Sequence, residues 1–161
     1  MRYLLFPFSL IYTSITSIRN LVFDYGIFKS QSHNIPIICI GNLSVGGSGK
    51  TPHTQYIINL LKHNYKVAML SRGYGRNSSN LQYIEANSTP NQVGDEPLLI
   101  KQNHPDCLVV VEKKRNKGVK QILKDFPETE VILLDDGFQH RWIKAGFNIL
   151  ITPYFLPYYQ D

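Results

Sequence analysis

The sequence has few cysteines, few charged residues and no long apolar run, and each shortage excludes a class of protein. Only two cysteines occur among 161 residues, which excludes a disulfide framework and a cysteine metal site. Both Cys39 and Cys107 lie within apolar runs, so we expect buried, reduced thiols in an intracellular protein. Charged residues make up 18% of the chain and hydrophobic residues 43%, which excludes a disordered polyelectrolyte.

Charge of neither sign dominates the chain, whose length is that of one ordinary domain. Seventeen Lys and Arg against twelve Asp and Glu leave a formal net charge of +5. This excess suits an anionic partner such as a nucleotide or an acidic membrane face. It is too small to indicate a nucleic acid, and we expect none.

The uncharged run between Arg2 and Arg19 is too short and too rich in Ser and Thr to cross a membrane. No signal-peptide cleavage site follows it. Its apolar residues instead repeat at helical spacing, at Phe8, Ile11, Ile15, Ile18, Val22 and Tyr25. Two interpretations remain open: this stripe packs on the protein's own domain, or the aromatic-rich helix lies on a membrane surface.

From residue 35 onward, short apolar runs alternate with segments of helical periodicity. Strands are predicted at 35–40, 67–70, 82–84, 108–111, 131–134 and 148–151, and helices at 54–62, 94–102 and 114–125. Uninterrupted apolar runs are typical of strands buried on both faces. The alternation therefore predicts an α/β fold with a mostly parallel sheet flanked by helices.

A glycine-rich segment between the first strand and the first of these helices has the pattern of a phosphate-binding loop. It consists of Gly46, Gly47, Ser48, Gly49, Lys50 and Thr51. Glycines let backbone N–H groups face phosphate oxygens at a helix N-terminus. In such a P-loop Lys50 reaches the β- and γ-phosphates and Thr51 ligates Mg²⁺. Ser44 stands where the strict pattern has glycine.

The hydrophobic strand predicted at 131–134 ends in two acids, Asp135 and Asp136. P-loop enzymes use an acid at this position to hold the Mg²⁺ shell, although strand ends also carry capping aspartates. Gln139 and His140 follow, at the sheet edge where open α/β folds bind ligands. A histidine in such a place is more often a structural hydrogen-bonding group than a catalyst.

Two further polar segments have more than one interpretation. Asp95 lies at a predicted junction of loop and helix, where it either caps the helix or accepts a proton from a substrate hydroxyl. A basic run near the last predicted helix is interpreted as a solvated face, and it comprises Lys113, Lys114, Arg115, Lys117 and Lys120.

Four motifs in one order, at 41–52, 70–75, 93–97 and 134–140, resemble the tetraacyldisaccharide 4'-kinases of lipid A biosynthesis. The resemblance implies an ATP- and Mg²⁺-dependent kinase that phosphorylates the 4'-hydroxyl of the tetraacyldisaccharide 1-phosphate precursor. It implies that Lys50 and Thr51 bind ATP phosphates and Mg²⁺, and that Asp95 is the catalytic carboxylate. Asp135 and Asp136 match the acidic pair near the metal, with Asp136 the other candidate for the base. The residues implied to line the site are Arg72, Gln139 and His140.

The resemblance also implies a location and a division of the chain. Residues 1–30 would dock on the cytoplasmic side of the bacterial inner membrane, and 31–161 would form the P-loop nucleotide-binding domain. Family members carry a further C-terminal domain that supplies part of the site. We therefore expect this chain to correspond to the N-terminal half and to need the other half in cis or in trans.

Other P-loop classes fit less well. A GTPase needs Asn-Lys-x-Asp, and the segment at 116–119 lacks the acid. A dimeric membrane-surface ATPase would carry a lysine where Val45 stands. A membrane-docked protein that binds ATP without turning it over remains an alternative.

Overall fold

The computed structural model describes residues 6–42, 49–138 and 140–152, with the side chains of the first helix described from residue 13 onward. The helices are α1 Phe6–Asp24, α2 Lys50–Leu61, α3 Pro90–Val93, α4 Asp95–Asn103 and α5 Arg115–Asp125. The strands are β1 Ile37–Asn42, β2 Val67–Ser71, β3 Gln82–Tyr83, β4 Leu108–Val111, β5 Val131–Asp135 and β6 Phe147–Ile151.

The strands form one six-stranded sheet in the order β3-β4-β2-β5-β1-β6. All neighbouring pairs are parallel except β3 with β4, which is antiparallel. The predicted α/β architecture is therefore confirmed. The order places β2, β5 and β1 side by side in the middle, so their carboxyl ends share one edge of the sheet.

The sheet has a hydrophobic layer on each side. Ile58 of α2 and Ile100 of α4 pack with Met69 of β2 in one cluster, and Val119 of α5 packs with Leu70 of β2 in the other. Consecutive residues of β2 join opposite clusters because side chains alternate along a strand. All five are fully buried, and each such side chain stabilises the fold by roughly 1.5–3 kcal/mol.

The two cysteines behave as their apolar surroundings predict. Cys39 and Cys107 are both buried and unpaired. Burial raises the pKa of each thiol to about 11, so both stay protonated at neutral pH and are poor nucleophiles.

Two helices begin in places that the sequence patterns did not predict. α2 begins at Lys50, four residues before the predicted start at 54, because its first turn carries the polar residues that follow the glycine-rich segment. α3 lies inside the stretch predicted as loop. It begins after Thr89, whose backbone N–H donates to Gln92 Oε1 at 2.9 Å. Pro90 occupies the first turn, where a backbone N–H would have no partner within the helix, so its absence costs nothing.

α1 attaches to the sheet domain near its C-terminal end. Phe23 is buried and packs edge-on against Trp142, with ring centroids 4.9 Å apart. Arg141 lies over the Phe23 ring, 5.0 Å from its centroid, and its Nη2 donates to Asp24 at 2.6 Å. Arg141 Nη1 also donates to the Asn20 carbonyl oxygen at 3.1 Å. The last turn of the helix is therefore held by ring contacts of Phe23 and by polar contacts of Arg141.

The apolar stripe of α1 is not what attaches it. Ile15, Ile18 and Tyr25 are 62%, 60% and 79% exposed, so these three side chains do not pack on the domain, while Val22 is half-buried. Those of Phe8 and Ile11 lie outside the described part. Among the described residues, no helix is long and apolar enough to span a bilayer.

Gly73 and Gly94 allow the loop after β2 to touch the start of α4. Gly94 has φ 93° and ψ 152°, a region open to glycine alone. A Cβ at Gly94 would lie 2.8 Å from the Tyr74 carbonyl oxygen and 3.3 Å from Gly73 Cα. This contact fixes where α4 begins relative to the carboxyl edge of the sheet.

We expect Gly94→Ala to lower the free energy of unfolding by about 3 kcal/mol or more, because it adds a steric clash to backbone strain. Gly26→Ala is the matched control: Gly26 has φ 70°, and a Cβ there would meet nothing within 4 Å, so only strain of about 1–2 kcal/mol applies. Urea denaturation of both variants measures the difference. Equal losses would show that the loop after β2 and the start of α4 are not in close contact.

Candidate active site

Polar side chains from three central strands meet at the carboxyl edge of the sheet. β1 ends at Asn42, β2 at Ser71 and β5 at Asp135, and all three residues are buried. α2 begins beside them, because its N-terminal residues follow β1 after one loop. Buried polar groups at adjoining strand ends are typical of a ligand site in this kind of fold.

The first residue of α2 is tied to this edge. Lys50 Nζ donates to Asn42 Oδ1 at 2.8 Å and lies 3.6 Å from Asp136 Oδ1. Gly49 precedes it in the left-handed conformation, with φ 79°. Gly46, Gly47 and Ser48 lie outside the described residues, so their predicted role in binding phosphates stays a prediction.

Asp135 is the buried acid of the site. Thr54 Oγ1 donates to its Oδ1 at 3.3 Å and Ser71 Oγ to its Oδ2 at 3.4 Å. The sequence patterns did not single out Thr54 or Ser71. The sequence holds only a weak signal for them: Thr54 lies one helical turn after Thr51, and Ser71 follows a predicted strand.

The surroundings of Asp135 disfavour its charge. Burial is the main cause, followed by the charges of Glu96 and Asp136, and together they raise the pKa of this carboxyl to about 6. The charge of Arg115 and the hydrogen bond from Thr54 act in the opposite direction. A divalent cation beside such a carboxylate would restore its ionisation.

Arg115 corrects one prediction. The sequence pattern groups it with a solvated basic face, yet it is 2% exposed, and burial lowers the pKa of its guanidinium to about 10. Nη1 donates to the Glu112 carbonyl oxygen at 2.6 Å and Nη2 to that of Asp135 at 3.2 Å. The side chain therefore joins the ends of β4 and β5. The prediction holds for the lysines of the run, Lys113, Lys114, Lys117 and Lys120, which are exposed.

Asp136 has a different environment from Asp135. Its side chain is 59% exposed and its backbone is left-handed, with φ 51°, a conformation that aspartate tolerates better than most residues. The neighbouring acids therefore differ: one is enclosed by hydroxyl groups, and the other faces the solvent beside Lys50.

The oxygen donors at this edge fit magnesium. Thr51 precedes Thr54 by three residues on α2, so the two share the helix face that contacts Asp135. A hydroxyl and two carboxylates suit Mg²⁺, which usually takes one or two protein carboxylates and completes its shell with phosphates and water. Within the described residues, no group of three or more His, Cys, Asp or Glu side chains lies close enough to hold a metal ion without other ligands.

Asp95 is the first residue of α4, and the cap of that helix is Gly94. The capping alternative for Asp95 is therefore wrong. The side chain is exposed, and the start of α4 is near enough to the site for the charge of Glu96 to raise the pKa of Asp135. The role of Asp95 as proton acceptor remains a prediction.

A cavity of about 280 Å³ lies between α1 and this edge of the sheet. Its lining comprises Arg19, Phe23, Arg72, Asp136, His140, Arg141 and Trp142. Burial, and then the charges of Arg115 and Arg72, lower the pKa of His140, so its imidazole is neutral at pH 7. Arg72 and His140 thus line one cavity, while Gln139 lies outside the described residues, and their role in lining a substrate site stays a prediction.

The sheet and its carboxyl edge define a class of protein. A parallel core, a lysine at the start of the helix after β1 and an acid ending β5 are the features of a P-loop NTPase-like fold. The sequence model of the tetraacyldisaccharide-1-P 4'-kinase (LpxK) family matches residues 1–158. The chain belongs to this family.

Individual relatives agree with that assignment. The tetraacyldisaccharide 4'-kinase of Flavobacterium johnsoniae is 50% identical over 96% of this chain and 45% of its own length. That of Bacteroides thetaiotaomicron is 48% identical over 93% of this chain and 40% of its own length. The chain therefore spans less than half the length of these relatives.

A solved structure shows the same fold. The crystal structure of LpxK from Aquifex aeolicus in complex with ATP superposes with a TM-score of 0.85 at 41% identity, over 92% of this chain and 48% of that one.

We expect Asp135→Asn to stabilise the fold at pH 7.5 by about 2–3 kcal/mol in Mg²⁺-free buffer, because the pKa is raised by about two units. Because the pKa of Asp135 is raised, the folded wild-type chain holds this proton more tightly than the unfolded chain does. Protonated Asp135 therefore contributes its full stabilisation below pH 3.8, and the wild-type chain loses that stabilisation as the pH rises through about 6. Asparagine does not titrate, so the variant has no such loss. Urea denaturation at pH 4 and 7.5 should therefore show a much larger gain at the higher pH.

Asp136→Asn is the matched control, because asparagine also tolerates the left-handed backbone and the side chain is exposed. Its gain in the free energy of unfolding at pH 7.5 should be clearly smaller than that of Asp135→Asn. An Asp135→Asn gain that is equal at both pH values would contradict the burial of a charged carboxylate.

Proposed function

We propose that this chain forms the nucleotide-binding half of a kinase that transfers the γ-phosphoryl group of ATP to the 4'-hydroxyl of a tetraacyldisaccharide 1-phosphate, a lipid A precursor. The observation that carries the proposal is the convergence of Lys50, Asp135 and Asp136 at one sheet edge. It occurs in a chain that belongs to the tetraacyldisaccharide-1-P 4'-kinase family.

ATP occupies the loop before α2 in this proposal. The backbone N–H groups of 46–49 surround the phosphates, and Lys50 binds the β- and γ-phosphates. The related Aquifex aeolicus LpxK crystallises with ATP, which supports the choice of nucleotide. Thr51, Asp135 and Asp136 would hold Mg²⁺, which neutralises charge on the phosphate oxygens when bound.

Asp95 is the proposed base. It accepts the proton of the acceptor hydroxyl while that oxygen bonds to the γ-phosphorus and the bridging oxygen leaves with ADP. Lys50 stabilises the charge on the phosphoryl oxygens during transfer. Asp136, exposed at the same edge, is the alternative base.

The cavity between α1 and the sheet edge is the proposed entry for the acceptor. Arg72 and Arg19 bring positive charge to its wall, which suits a phosphorylated sugar. His140, together with Gln139, would line the same space. Asp136 lines this cavity, which supports an approach of the acceptor to the sheet edge that would hold the nucleotide.

The protein divides into two functional parts in this proposal. Residues 1–30 are a membrane-surface helix, and 31–161 are the nucleotide-binding domain. The proposed location is the cytoplasmic face of the bacterial inner membrane. The exposed stripe of α1 supports contact with a membrane surface, because an exposed apolar face suits the boundary of a bilayer. The rest of the active site comes from the second half present in the relatives, in cis or in trans.

Lys50→Ala should weaken binding of MgATP by at least about tenfold, because a charge-assisted contact to phosphate is lost. Fluorescence titration with an ATP analogue measures the affinity. Lys120→Ala is the control, because it removes the same charge from an exposed position on α5. Equal affinity of the two variants, with native circular dichroism, would refute a P-loop nucleotide site.

The double variant Ile15→Asp, Ile18→Asp should release the protein from vesicles of phosphatidylethanolamine and phosphatidylglycerol, because it places two charges on the face that would be buried in lipid. The control Thr13→Asp, Ser17→Asp adds the same charge to two exposed polar positions of α1. Flotation of vesicles separates bound from free protein. Release by both variants alike would point to electrostatic repulsion and against insertion of the stripe.

A further inference from the structure

A second cavity, of about 640 Å³, lies at the amino edge of the sheet, away from Asp135. Its wall comes from residues that follow α2, from the end of α4 through the start of β4, and from residues that follow α5. None of the residues assigned to the proposed kinase reaction lines it. A ligand held there would not contact the residues assigned to the nucleotide.

His104 is the unusual group in this cavity. It is 5% exposed, and neither ring nitrogen has a hydrogen-bond partner among the described residues. Burial, and then the charge of Lys62, lower the pKa of His104, so its imidazole is neutral at pH 7 and presents one donor and one acceptor. Buried polar groups are almost always bonded, so a partner for this ring is missing.

The charges that act on His104 and its neighbour Cys107 are positive. Lys62 acts on His104, and both Lys101 and Lys62 act on Cys107, lowering its pKa against the effect of burial. Asp106 and Glu128 also line the cavity, against three lysines, Lys62, Lys66 and Lys101. Neither acid contributes to either pKa, so the cavity has an excess of positive charge beside a neutral imidazole.

Helix dipoles account for only part of this arrangement. Lysines near helix C-termini complement exposed carbonyl groups, and Lys101 Nζ does so by donating to the carbonyl oxygens of Pro105 at 2.7 Å and Cys107 at 3.0 Å. An ammonium group has three donors, so one remains on Lys101. Such complementarity gives no partner to the buried ring of His104.

We propose that this cavity binds the phosphate group of a small molecule, with His104, Lys62 and the remaining donor of Lys101 as its ligands. A phosphate offers acceptor oxygens to both ammonium groups and, when monoprotonated, a donor as well. The ligand class is inorganic phosphate or a phosphate monoester. The proposal does not depend on the proposed kinase activity.

The test uses the Lys50→Ala chain, which lacks the main phosphate-binding lysine of the nucleotide site, and inorganic phosphate as the probe. NMR follows the ¹⁵N-labelled histidine rings during the titration, and His104→Gln identifies the His104 signals. We expect a saturable shift of the His104 signals and none for His33, whose ring is bonded to Asn116 Oδ1 at 2.9 Å. Unchanged His104 signals throughout the phosphate titration would overturn the proposal.

A second pair of variants keeps the test independent of any change in folding caused by His104→Gln. Lys62→Gln, at an exposed position, should weaken the phosphate affinity by about tenfold or more. Lys120→Gln removes the same charge from α5 and should leave the affinity unchanged. Equal affinities for the two variants would also overturn the proposal.

Discussion

The buried carboxylate of Asp135 joins the parts of the molecule that a nucleotide site needs. Hydroxyl groups donate to it from α2, through Thr54, and from β2, through Ser71, while Arg115 of α5 binds its backbone carbonyl. One residue at the end of the central strand β5 therefore fixes a helix on each side of the sheet. Its charge is costly at this buried position, and a divalent cation bound beside it would relieve that cost.

The attachment of α1 connects a surface helix to the same edge. Arg141 and Trp142 hold the helix, and they directly follow His140, which lines the cavity beside Asp136. The polar and aromatic contacts face the domain, so the apolar stripe is left to the outside. A lipid acceptor that reaches the site from a membrane would pass next to this attachment.

Much of the fold could be predicted from the sequence because its strands are uninterrupted apolar runs, and a parallel sheet buried on both faces needs such runs. The lysine at the start of α2 and the acids after β5 followed from local motifs. Arg115 could not be placed, because only the tertiary structure brings the carbonyl ends of β4 and β5 to its guanidinium. The same limit applies to Thr54 and Ser71, which lie 81 and 64 residues from Asp135 along the chain.

The most direct test of phosphoryl transfer at this edge uses a chimera in which residues 1–152 of this chain replace the matching part of the Flavobacterium johnsoniae kinase. Transfer of ³²P from γ-labelled ATP to tetraacyldisaccharide 1-phosphate is measured for the chimera and for its Asp95→Asn variant. A base at Asp95 predicts an active chimera and a variant with unchanged ATP affinity whose turnover falls by roughly 10²–10⁴-fold. An inactive chimera that still binds ATP, or near-normal turnover of the variant, would contradict it.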